Sequence, residues 1–278
     1  MSKWNMIIDV AECTNCHLCT LATADEYVDN EFPGYAAPMP KHGHKWIDIL
    51  QNERGQGTQF DIAYVPTMCN HCDDAPCVKA GKDGAVKKRD DGVVVIDPEK
   101  AKGQRQIVDA CPYGHVWWNE KLQLPQHWNF DAHLLDMGWD QPRGGQVCPT
   151  GAMKAVRVSD VEMAKMAQAE GLETLRPELG TKPRVWYRNL WRYSTAFVAG
   201  AVSETVNGRV ECVEGAQVRL LRNGASVAET VTDNYGDFKF DRLAENSGAY
   251  VVEITHRAAK KRVDVKVDKS VSLGEIRM

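Results

Sequence analysis

Cys13-Thr14-Asn15-Cys16-His17-Leu18-Cys19 and Cys69-Asn70-His71-Cys72-Asp73-Asp74-Ala75-Pro76-Cys77 are two cysteine triplets, spaced Cys-x2-Cys-x2-Cys and Cys-x2-Cys-x4-Cys. Two further cysteines each precede a proline, in Cys111-Pro112 and Cys148-Pro149. In two-cluster ferredoxins a run of three cysteines holds most of one 4Fe–4S cubane, and a remote Cys-Pro supplies the fourth thiolate. Three plus one, twice over, uses eight of the nine cysteines and predicts two 4Fe–4S clusters.

Other uses of these thiols fit less well. Three cysteines within seven residues cannot pair sensibly as disulfides, and the Met1–Asp9 start has neither an apolar signal core nor a twin arginine. Structural zinc favours paired Cys-x2-Cys knuckles over triplets with distant Cys-Pro partners. Unliganded buried cysteines have no reason to cluster in this way.

The rest of the composition is that of an ordinary globular chain: 278 residues, 43% hydrophobic and 26% charged, with a net charge of −4. A slightly acidic balance gives no electrostatic reason to expect a nucleic-acid partner. No apolar run approaches the roughly 20 residues of a membrane-spanning helix. The expectation is a cytoplasmic chain without its own membrane anchor.

Composition also divides the chain. All eight Trp precede residue 192 and all twelve Pro precede residue 184, after which Val, Glu, Gly and Lys dominate. Residues 1–158 are rich in turn formers and poor in long periodic segments, so they read as short elements wrapped around clusters rather than a large apolar core. A helix and linker over 159–196 follow. There Ser159 and Glu162 form a capping box and Gly171 is the stop; the basic, aromatic run Lys182–Tyr193 shows no clean period. It reads either as an extended linker or as a docking segment for a partner.

Residues 197–278 read as strands. Tyr250, Val252 and Ile254 alternate with Val251, Glu253 and Thr255, Val263, Val265 and Val267 alternate with Arg262, Asp264 and Lys266, and turn signals fall at Arg222-Asn223-Gly224, Asp233–Gly236 and Glu245–Gly248. Short strands with turns at that spacing predict a β-sandwich. The repeat of Val213-Glu214-Gly215-Ala216, Asp233-Asn234-Tyr235-Gly236-Asp237-Phe238 and Gly248–Ile254 resembles the carboxypeptidase-regulatory or collagen-adhesin B type. Cys212 is expected to be a small buried apolar residue there. The predicted fold class is therefore α+β: ferredoxin-like iron–sulfur domain in two pseudo-repeated halves, then an all-β sandwich.

The fragments Val95-Ile96-Asp97-Pro98, Cys111-Pro112-Tyr113-Gly114, Ala132-His133-Leu134-Leu135-Asp136 and Cys148-Pro149-Thr150-Gly151-Ala152 carry a resemblance. Residues 1–158 resemble the iron–sulfur subunits of molybdopterin oxidoreductases, which have four cysteine groups and up to four cubanes. The resemblance implies one cluster on Cys13, Cys16, Cys19 and Cys148, and a second on Cys69, Cys72, Cys77 and Cys111. Two further sites of the family lack every thiolate. One has Gly81, Ala101, Gln104 and Ile107; the other has Thr23, Trp128, Asp131 and Gly144. By analogy with the family's wire of clusters, both lost sites are expected to lie between the retained ones.

Asn30–Tyr35, Glu178–Val185 and the sandwich narrow the resemblance to the branch that transfers hydroxyl groups between polyhydroxylated aromatics. That implies a heterodimer whose large partner chain holds molybdenum (or tungsten) with two pterin guanine dinucleotides and carries the active site. The alternative is the electron-transfer subunit of a related resorcinol hydroxylase or catechol dehydroxylase. No catalytic residue is expected in this chain: it has no phosphate loop and no nucleophile–base pair. His17 and His71, inside the triplets, are candidates for tuning cluster potential.

Overall fold

A computed structural model describes the chain from Met1 to Met278. It forms two compact units, residues 1–50 with 64–190, and residues 51–63 with 191–278. No helix is long and apolar enough to cross a membrane.

The first unit is built on β1 (Ser2–Asp9), in which Trp4 through Ile8 are all buried. A continuous run of buried positions marks a strand covered on both faces. After it come α1 (Leu18–Tyr27), β2 (Ile47–Gln56) and β3 (Gln59–Met68). A string of short pieces then follows: α2 (Pro76–Ala80), β4 (Val86–Lys88), β5 (Val94–Ile96), α3 (Gln106–Asp109), β6 (Trp117–Asn119) and β7 (Leu124–Gln126). The unit ends with α4 (Ala132–Asp136), α5 (Arg143–Gln146), β8 (Met153–Ser159), α6 (Asp160–Glu170) and β9 (Val185–Arg188).

Three strands make the main sheet. β8 runs antiparallel to β1, from Ser2 opposite Ser159 to Ile8 opposite Met153. β9 runs parallel to its other edge, with Met6 opposite Val185 and Asp9 opposite Arg188. Within the 182–193 run, which reads as an extended linker or a docking segment, β9 is extended chain paired with the protein's own β1. Four residues beside a buried parallel partner, with only Val185 and Tyr187 buried, are too few to declare a period. Ser159 caps α6 as expected: the Glu162 N–H donates to Ser159 Oγ at 3.2 Å, and Gly171 ends α6 at φ 63°.

The second unit begins with α7 (Trp191–Ser194) and continues as β10 (Ala196–Val206), β11 (Arg209–Cys212), β12 (Gln217–Arg222) and β13 (Ala225–Val231). β14 (Asp237–Leu243), β15 (Gly248–His256), β16 (Ala259–Val267) and β17 (Val271–Arg277) complete it. β10 pairs with β11, β14 and β17; the second sheet has the order β13-β12-β15-β16. Val198, Val202, Leu220, Phe238, Val252 and Ile254 share one buried core, so the two four-stranded sheets form a sandwich. Tyr250, Val252, Ile254, Val265 and Val267 point inward as their alternation requires. Cys212 does not: β11 is exposed at all four residues, and its thiol with it.

The tip of the β2–β3 hairpin, residues 51–63, belongs to this second unit. Arg54 is buried and donates to Asp61, to Asp241 at 3.1 Å and to the Thr195 carbonyl at 3.1 Å. Its guanidinium also lies over the Trp191 and Phe197 rings. Gly55 turns beside it at φ 82°, where a Cβ would sit 2.5 Å from the Phe197 ring.

Candidate iron–sulfur sites

All eight predicted ligands lie in the first unit and fall into two sets. Cys13, Cys16 and Cys19 occupy the loop into α1 and its first turn; Cys148 follows α5. These four thiols line a single pocket with Thr14, His17, Ile49, Pro66, Thr150, Ala152 and Met153. Burial pushes the Cys13 thiol up, with Cys148 and Cys16 adding to it, and pushes Cys19 up to about 11, with Cys13 and Cys16 adding. Cys148 Sγ is 3.7 Å from Thr150 Oγ1.

Cys69, Cys72, Cys77 and Cys111 form the other set. Cys72 and Cys77 sit in one apolar cluster with Ile96, Ala101 and Ile107, and Cys111 packs against it. Burial raises the Cys69 thiol well above its ordinary range, and Cys77, Cys111 and Cys72 each push it further. Cys77 is pushed up to about 12 by burial, then by Cys111 and Cys72. Each set thus joins the three thiols of one triplet to the thiol of one Cys-Pro.

No three His, Cys, Asp or Glu side chains converge on a point where one metal ion would sit. Four thiols in each set match the donor set of a cubane, which binds one thiolate at each iron. Bound there, a cubane supplies one-electron redox chemistry; the protein supplies the thiolates and their surroundings.

Those surroundings differ between the sets. Lys88 Nζ donates to the carbonyls of His71 (2.6 Å) and Cys72 (3.0 Å) and pairs with Asp73 at 3.0 Å. Arg184 donates to both carboxylate oxygens of Asp73. Thus a half-buried cation lies against the second set, whereas Cys16 and His17 of the first set face solvent.

The two thiol-free sites are packed with protein. At the first, Ala101 and Ile107 are buried in the apolar cluster that holds Cys72 and Cys77. A Cβ on Gly81 would lie 2.9 Å from Val86 Cγ2, and Gln104 bonds the backbone of Lys82. At the second, Asp131 lies 2.8 Å from Tyr27 Oη and accepts from Trp128 Nε1 at 2.9 Å and the Arg143 N–H at 2.7 Å. Thr23 donates to the Cys19 carbonyl at 2.9 Å, and a Cβ on Gly144 would come within 3.5 Å of Cys19 Cβ.

Their positions correct the expectation that both gaps lie between the retained sites. The Trp128–Asp131 site adjoins Cys19 on one side. On the other, Trp128 and Phe130 pack against the His71 ring, 5.6 and 5.3 Å away, and His71 sits between Cys69 and Cys72. The Ala101–Ile107 site instead lies on the flank of the second set, next to the exposed Arg105 and Gln106. Only one gap separates the two sets.

His71 is the residue whose role the sequence understates. It is fully buried, its Nδ1 accepts from the Val94 N–H at 3.0 Å, and burial holds its pKa well below the usual histidine range. His127, 5.9 Å away, is held down to about 4 by burial. Neither position shows a periodic signal in the sequence.

The chain is similar to known iron–sulfur proteins. Residues 60–158 match the 4Fe-4S dicluster domain. The chain is 26% identical to the arsenate respiratory reductase iron-sulfur subunit of a Shewanella species, over 70% of this chain and 100% of that one. It is 34% identical to a probable anaerobic dimethyl sulfoxide reductase chain of Escherichia coli, over 66% of this chain and 89% of that one. The chain belongs to the iron–sulfur subunits of molybdopterin oxidoreductases. Within that family it is 44% identical, over the full length of both chains, to the pyrogallol hydroxytransferase small subunit of Pelobacter acidigallici.

Proposed function

We propose that this chain is the two-cluster subunit of a heterodimer whose large partner binds molybdenum or tungsten with two pterin guanine dinucleotides. Hydroxyl transfer between polyhydroxylated aromatics takes place on that partner. Cys13, Cys16, Cys19 and Cys148 hold one 4Fe–4S cluster; Cys69, Cys72, Cys77 and Cys111 hold the other, within a ferredoxin-like pair of half-domains. The sandwich serves as a structural or docking module for the partner.

The observation that carries this reading is the protein filling of both thiol-free sites, which leaves eight thiols in two sets of four. The full-length similarity to a hydroxytransferase small subunit supports the reaction class. The flanking site is filled too, so no further centre lies beyond the second set within this chain. That suits a reaction with no net redox change better than one exporting electrons through a resorcinol hydroxylase or catechol dehydroxylase.

The test is iron and acid-labile sulfide per chain in the anaerobically purified complex, with EPR of the reduced protein. About eight irons and a co-purifying molybdenum-bearing partner are expected. About twelve irons would overturn the two-cluster reading, and zinc without sulfide would overturn the cofactor assignment altogether.

A further inference from the structure

The gap between the two thiol sets contains a proton count that does not close if every group is in its ordinary form. Tyr27 Oη lies 2.5 Å from Asn129 Oδ1 and 2.8 Å from Asp131 Oδ1. A phenol has one proton to donate, yet it faces two acceptors. The Asn129 amide cannot be turned to resolve this, because its Nδ2 donates to the Tyr35 carbonyl at 3.1 Å; reversing it would set two oxygens against each other.

Nothing around Asp131 compensates a negative charge directly. Trp128 and the Arg143 backbone supply neutral donors. The Arg143 guanidinium is turned away to Asp25 at 2.8 Å and Glu26 at 3.0 Å. His133 is likewise engaged by Glu26, at 2.8 Å. On the far side of Trp128 the ring packed against it is that of His71, with His127 beyond. Asp131 itself is fully buried.

We infer that Asp131 is a neutral carboxylic acid that donates its proton to Tyr27 Oη, which in turn donates to Asn129. The site between the clusters thus holds a proton as part of an uncharged bridge. Every contact then has one hydrogen, with Trp128 and Arg143 donating to the acid's oxygens. Burial raises the carboxyl in the same direction and outweighs the donors around it and His133, which work against it. This inference rests on the two-cluster reading, since a metal in the gap would claim the carboxylate. In that setting Asp131 is a positioning residue: a fixed negative charge between the clusters would oppose the electron added to either one, and a bound proton removes that opposition.

The experiment is infrared difference spectroscopy of the whole complex before and after reduction, for wild type, Asp131→Asn and Tyr27→Phe. A carbonyl band of a protonated carboxyl is expected, sensitive to D2O and shifted on reduction. It is lost in Asp131→Asn and moves to higher frequency in Tyr27→Phe, where the acid loses its acceptor. The midpoint potentials of both clusters stay within a few-fold in equilibrium constant in Asp131→Asn, because one neutral group replaces another. Absence of any such band in wild type overturns the inference, as does a marked upward shift of both potentials in Asp131→Asn. Iron content is read in parallel. About twelve irons per chain would instead count against the two-cluster reading, so the two failures are distinguishable.

Discussion

Gln104 grips the backbone of Lys82 from both sides: its Oε1 accepts the Lys82 N–H at 2.8 Å and its Nε2 donates to the Lys82 carbonyl at 3.3 Å. That clamp closes Gly81 and the turn after it against Ala101 and Ile107. A single new thiolate there has no companions, so Gln104→Cys should leave iron per chain unchanged. Ile107→Ala opens the buried cluster instead, and should cost about 2–5 kcal/mol in denaturant titration. It should also speed iron loss from the adjacent Cys72–Cys77 set. A rise in iron on Gln104→Cys would show that the site is not filled.

The two thiol sets should come apart by mutation. Cys148→Ser removes one ligand from the pocket shared with Cys13, Cys16 and Cys19, so the first cluster's EPR signal should be lost or converted while the second persists. Cys111→Ser should do the reverse. Damage to the opposite cluster in either variant would refute the assignment of ligands.

Much of this is legible because thiol spacing is a chemical constraint rather than a propensity. Cys13-x2-Cys16-x2-Cys19 needs no neighbour to be read. The alternation of Tyr250, Val252 and Ile254 is equally clear, since one face of β15 meets the core. β9 is hidden because its order comes from β1, some 180 residues earlier, not from its own pattern. The hairpin tip at Arg54 is invisible for the same reason: its partners Asp241 and Thr195 are remote in sequence. Cys212 escapes because composition cannot distinguish an edge strand from a central one. The order of the two gaps escapes because the analogy fixes which residues are lost but not what each lost site touches.

The thiol environments predict how the metal-free chain responds to pH. Burial holds Cys77 up to about 12 and Cys19 up to about 11, from an ordinary value near 9.0. These thiols are neutral in the fold, whereas an unfolded chain loses their protons first. Stability of the metal-free chain should therefore be full below the ordinary thiol range and fall as pH rises through it toward the folded values. Cluster binding needs thiolates and releases protons, so anaerobic reconstitution should quicken with rising pH. The first set, with Cys16 exposed, should fill before the second, whose Cys69, Cys72 and Cys77 are all buried. Iron uptake followed by EPR, together with melting of the metal-free chain across pH, tests both. Simultaneous filling of the sets, or a metal-free chain that gains stability in alkali, would contradict the argument.

Lys88 sets the last expectation, because its charge is built against the backbone of the second set. Its Nζ donates to the carbonyls of His71 and Cys72. Burial works against that charge and the hydrogen bond to Asp73 supports it. Asp73 is also bound by Arg184, so it does not cancel Lys88 alone. A cluster gains negative charge on reduction, and a nearby cation in a poorly hydrated site stabilises that form. Lys88→Met keeps the stem, removes the charge and leaves two carbonyls short of a donor, at about 1–3 kcal/mol for a buried group. The second cluster's midpoint potential should fall, the first should hold, and Lys88→Arg should restore most of the difference. An EPR-monitored redox titration resolves the two centres. Equal shifts in both would mean that the substitution acts through the fold and not through local charge.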